Sequence, residues 1–74
     1  MEADPLIHMA NRIGEFFESF PDRDQAVAGV AEHIQKFWAP SMRADLLDRI
    51  AQGSAAGLTP LVLEAVPTLK RPSV

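Results

Sequence analysis

Cysteine is missing from these 74 residues, and only two histidines are present. No disulfide can staple the chain, no thiol can act as a nucleophile, and zinc sites built on cysteine are excluded; a reducing compartment fits this composition. Positive charge is also scarce. Seven Lys and Arg stand against ten Asp and Glu, for a net charge of −3, and the seven are scattered along the chain. A protein that reads a nucleic-acid backbone concentrates its cations on one face, so nucleic acid is not an expected partner. Long apolar runs are absent too: nothing approaches the roughly 18 uninterrupted apolar residues that span a bilayer. The opening "MEADPLIHMANR" starts acidic and lacks the basic and apolar regions of a secretory signal. The expectation is a cytoplasmic protein with no membrane contact.

What is present is apolar. Hydrophobic residues make up 47% of the chain, too many for a disordered segment. A chain this short folds as one small domain at most, spanning 1–74, and buries only about 60 to 65% of the surface its unfolded form exposes. Below about 70 to 80 residues a single core rarely supplies more than ~3 to 5 kcal/mol, so such chains lean on a disulfide, a metal or a partner.

The periodicity predicts an all-α fold. "DPLIHMANRIGEFFESF" places Asp4 as N-cap and Pro5 at the first helical position, with Leu6, Met9, Ala10, Ile13, Phe16, Phe17 and Phe20 at three- and four-residue steps. This helix is expected over about 4–20. Gly14 within it marks either the close approach of another helix or a tolerated defect. Pro21 ends the segment, and Asp22 with Gln25 three residues on reads as a capping box for a second helix over about 22–38. Its inner stripe is Val27, Val30, Ala31, Ile34 and Trp38, and Glu32 to Lys36 is an i,i+4 pair outside. The short connection predicts an antiparallel hairpin. A third helix, about 40–52, starts at Pro40 and ends at Gly53, with Met42, Leu46, Leu47 and Ile50 apolar. "GSAAG" is a connector. A short last helix, about 59–66, has Thr59 as N-cap and Pro60 at its first position, and 67–74 is expected to be an extended tail.

The stretch "HIQKFWAPSMR", residues 33–43, raises the functional question. On the wheel of helix two Phe37 lies off the axis of the Val27, Ile34 and Trp38 stripe, and His33 further round. Phe16 and Phe17 point about 100° apart, so both cannot face one seam. Either every aromatic is core in one compact bundle, or part of this surface binds a larger protein. Interfaces are enriched in Trp, Phe, Met and Arg, the inventory of "FWAPSMR". The expected contact set is His33, Phe37, Trp38, Pro40, Met42 and Arg43, with Asn11, Phe16 and Phe17 from helix one, and Arg43 is the candidate anchor for a partner carboxylate. Chemistry finds less support. Neither His8 nor His33 has a spaced third metal ligand, no base is available to activate Ser41, Ser54 or Thr59, and "GSAAGLT" lacks the Lys of a phosphate loop. No catalytic, cofactor-binding or metal residue is expected.

The segments "MAN-x-IG-x-FF" at Met9 to Phe17 and "HI-x-x-FW-x-P-x-MR" at His33 to Arg43 resemble the delta subunit of the soluble, NAD-dependent formate dehydrogenases of bacteria. The resemblance runs from about Leu6 to Val66. Where members of that family often carry an acidic residue before the Pro and a basic one after it, this chain has Ala39 and Ser41. The resemblance implies an accessory subunit that binds no cofactor itself. Its complex would carry a bis-pterin molybdenum or tungsten centre, iron–sulfur clusters, flavin and the NAD site on other subunits. The implied partner is the large catalytic subunit, and the implied role is assembly, cofactor retention or stability. A transient assembly chaperone for molybdenum-cofactor insertion and a self-associating helical regulator are the alternatives.

Overall fold

The computed structural model describes residues 5–53 and 56–69. Among them the regular structure is helical throughout, in the order α1 (Pro5–Phe17), α2 (Arg23–Phe37), α3 (Pro40–Ala51) and α4 (Pro60–Ala65), followed by a 3₁₀ turn over Val66–Thr68. The expected cap Asp4 lies outside the described residues, as do Ser54 and Ala55 of the connector and 70–74 of the tail.

Helix α1 ends at Phe17, short of the expected Phe20. Pro21 drives the residue before it out of the helical region, and Ser19 donates its hydroxyl to the Phe16 carbonyl at 3.1 Å, which closes the last turn. Helix α2 begins as its sequence requires. Asp22 sits in extended conformation and its Oδ1 accepts the backbone N–H groups of Asp24 at 2.9 Å and Gln25 at 3.4 Å. Glu32 and Lys36 pair at 3.2 Å on its outer surface. Only Trp38 and Ala39 separate α2 from α3, because Ala39 precedes Pro40 and is held extended (φ −61°, ψ 147°). Helix α3 stops at Gly53, whose φ of +76° suits the left-handed residue beyond a helix end.

The 13- and 15-residue helices α1 and α2 form the hairpin, and the six-residue α4 rests on both. Leu61, Val62 and Ala65 of α4 are buried with Val30 and Ile34 of α2 and Ile7 and Ala10 of α1. Leu46 anchors α3 to the same core, with Met42, Leu47 and Ile50 partly covered. Gly14 resolves to close approach: a Cβ there would stand 2.7 Å from a methyl of Val62. That contact turns the inward face of α1 toward Ile7, Ala10 and Gly14. Met9 and Phe20, part of the apolar period of this helix, are exposed, as is Phe16 of the expected contact set.

The expected extended tail needs correction at its start. Pro67 continues into the 3₁₀ turn, the Thr68 hydroxyl donates to the Ala65 carbonyl at 2.6 Å, and Leu69 is buried. Burying Val66 and Leu69 against the hairpin holds this segment down where local sequence has no helical period.

A candidate docking face on the hairpin

Two residues expected at a partner surface lie inside the molecule. Trp38 is 7% exposed and belongs to the core. Arg43, 9% exposed, reaches back beneath the end of α2 and donates from its Nη1 to the carbonyls of Trp38 at 3.2 Å and Gln35 at 3.4 Å. The carbonyl end of a helix carries partial negative charge, so a buried guanidinium is favourable there. The two-residue break at Trp38 and Ala39 makes this possible, by folding the first turn of α3 back under the helix it follows.

Asn11 is also engaged within the chain. Its side-chain amide donates to the Gly57 carbonyl at 2.8 Å while its Oδ1 accepts the Thr59 N–H at 3.0 Å. One side chain on α1 thus supplies both partners for the backbone that leads into α4. Met42 is partly buried against the core, and Pro40 is exposed at the start of α3.

The remaining members of the expected set converge. Phe16 and Phe17 meet edge to face with centroids 5.0 Å apart, and Phe20 stands 5.1 Å from Phe17. The Phe17 ring lies over Gly29 of α2, where a Cβ would come within 2.4 Å of it. Across the hairpin the His33 and Phe37 rings are 4.9 Å apart. Between the two groups opens a groove of about 490 Å³ lined by Arg12, Ile13, Phe16, Phe17 and His33. Phe16 is 68% exposed and Phe37 73%, levels at which each large ring is left to water.

Arg12 and Ile13 were not expected in this set, although the signal lies in α1. Met9, Ile13, Phe16 and Phe20 follow an i, i+4, i+7, i+11 spacing, the pattern of a helix seam. This second stripe runs beside the buried one of Ile7, Ala10 and Gly14. A single wheel merges the two into one broad apolar arc.

The described residues contain no group of three His, Asp or Glu side chains placed to hold a metal ion. No helix among them is long and apolar enough to cross a membrane. The perturbed ionisable group is Arg23, on the covered side of the hairpin. Its Nε donates to Glu64 of α4 at 3.1 Å. That hydrogen bond is the main reason the guanidinium pKa is raised; partial desolvation opposes it, and the charges of Glu64 and Glu18 add to the rise.

A family model described as the NADH-dependent formate dehydrogenase delta subunit FdsD matches residues 5–66. The chain belongs to this delta-subunit family. The match takes in all four helices, so the aromatic groove and the Asn11 and Arg43 contacts all lie within the delta-subunit region. No curated protein and no solved structure gives a match.

Proposed function

We propose that this chain is a non-catalytic accessory subunit of a cytoplasmic NADH-dependent formate dehydrogenase. It docks on the large catalytic subunit through the aromatic face of its hairpin and supports assembly, cofactor retention or stability of the complex. It binds no cofactor of its own; bis-pterin metal, iron–sulfur, flavin and NAD chemistry belong to the other subunits. Membership of the delta-subunit family supplies the complex. The observation that carries the docking reading is the pair Phe16 and Phe37, both more than two-thirds exposed on one hairpin. Exposed aromatic anchors flanked by partly buried neighbours are the usual centre of a binding surface.

The contact set narrows accordingly to His33, Phe37, Phe16 and Phe17, with Pro40 at the margin. Trp38, Arg43, Asn11 and Met42 act one step back, holding the helices that present this set. A test on Trp38 or Arg43 would report on folding, so the informative variant is Phe16→Ala with Phe37→Ala. Wild-type chain is expected to co-purify in fixed stoichiometry with the large subunit, and the double variant to be lost from the complex while its circular dichroism is unchanged. Two hot-spot truncations at about 2 kcal/mol each correspond to a fall of several hundred-fold in affinity. A folded double variant that still co-purifies would remove the face from the interface. Wild-type chain missing from the mature enzyme would favour a transient chaperone, and a homodimer by light scattering a self-associating regulator.

A further inference from the structure

The groove has a direction, a shape and a charge. It runs between two antiparallel helices, the geometry into which a third helix packs by setting its ridges into their grooves. Phe16 lies two residues from Gly14, hence about 200° round α1 from the point where α4 touches, so the groove opens on the side away from α4. Its lining is mostly apolar, with Ile13, Phe16 and Phe17 contributing the rings and methyls, and Arg12 and His33 bring the ionisable groups. Neither Arg12 nor His33 meets a carboxylate among the described residues, although the chain as a whole is acidic.

The covered side of the same hairpin shows how such a combination is satisfied. There α4 lays Leu61, Val62 and Ala65 against α1 and α2, and its Glu64 reaches the rim to bind Arg23. Arg12 on the open side stands to Phe16 and Ile13 as Arg23 stands to the residues under α4: a guanidinium at the edge of an apolar trough. What differs is that no helix among the described residues lies over this groove.

We infer that the open groove receives an amphipathic helix of the large catalytic subunit, which inserts apolar side chains against Ile13, Phe16 and Phe17 and places an Asp or Glu on Arg12. This rests on the subunit reading above and adds the secondary structure and the charge of the docking element. An apolar segment alone would leave Arg12 desolvated and unpaired at the rim, whereas a carboxylate makes a charge-assisted bidentate pair with it. A second copy of this chain is the poorer occupant, because it would bring another Arg12 and His33 to the same rim.

The test uses the complete enzyme with a photo-crosslinking p-benzoylphenylalanine in place of Phe16. After irradiation and digestion, the adduct is expected on one helical segment of the large subunit that has an Asp or Glu within one turn of the labelled apolar residue. In a parallel preparation Arg12→Glu is expected to lower retention in the complex roughly tenfold or more at low salt, with the fold unchanged. Replacing the partner's carboxylate by Lys is then expected to restore it. An adduct on a strand or loop, an adduct on a second copy of this chain, or full retention of the Arg12→Glu variant would each overturn the helix-and-carboxylate inference while leaving the subunit reading in place. Should the wild-type chain fail to co-purify at all, both fall together.

Discussion

The two sides of the hairpin are built from different residues. The buried side carries Ala10, Gly14, Ala26, Val30 and Ile34, whereas the open side carries Ile13, Phe16, Phe17, His33 and Phe37. Small side chains let backbones approach, and here they admit α4 so closely that Gly14 has no space for a Cβ. A helix of six residues can cover a trough lined by Ala and Gly, but it could not also span one lined by phenyl rings. The chain therefore places its small residues where its own shortest helix must fit, and its large ones where no described helix covers them. The covered side holds by close packing, and the open side exposes bulk.

Breaking the covered side should have the largest effect. Leu61 is 1% exposed and joins α4 to the hairpin, so Leu61→Ala removes methyl groups from a site with little freedom to collapse. The expected loss of about 2 to 5 kcal/mol is comparable with the whole stability of a domain this small. Thermal unfolding followed by circular dichroism should show a lost or non-cooperative transition; a sharp transition near the wild-type temperature would mean that α4 is not integral to the core.

The glycines offer a sharper contrast. Ala in place of either glycine gains about 1 kcal/mol of helix propensity. At Gly14 the new methyl meets Val62, a stiff β-branched side chain in the core, and overpacking costs about 1 to 3 kcal/mol, so Gly14→Ala is expected to destabilise on balance. At Gly29 the obstacle is the ring of Phe17, which is only half-buried and can swing outward. Gly29→Ala should leave the unfolding midpoint nearly unchanged and weaken retention in the complex, because the displaced ring enters the groove. Equal midpoint losses for the two variants would erase the distinction between the faces.

The smallest effect on stability is expected from Phe16→Ser, within about 0.5 kcal/mol of wild type, since a ring so exposed contributes little to the isolated fold. Chemical denaturation measures it, and a loss above about 1.5 kcal/mol would place Phe16 in the core.

Local signals located the helices well. Asp22 through its side-chain cap, Pro40 and Pro60 through a fixed φ, and Gly53 through a positive one each act within one turn of themselves, so their effect can be read along the chain; Thr59 holds the cap position of α4 without a capping hydrogen bond from its side chain. Helix α1 came out shorter than its apolar period because Pro21 acts backward on Phe20. The site was legible in part. His33, Phe16, Phe17 and Phe37 stand out by lying off a seam, and they do share one face. Asn11 and Arg43 could not be placed this way. The partners of Asn11 lie 46 and 48 residues further on, and Arg43 becomes buried only because α3 doubles back after two residues. Arg12 escaped notice because it borders the apolar arc of α1 on a plain wheel and becomes part of a groove only when α2 supplies the other wall.

The amino-acid order by itself determined that this chain is helical, where most of its helices start, and that it lacks thiol chemistry. Those properties follow from residues acting on neighbours one to four positions away. Which rings are buried and which face water was decided by tertiary structure. Gly14 and Ala10 admitted α4 on one side of the hairpin, and once that side was taken the bulk of Phe16 and Phe37 had nowhere inside to go.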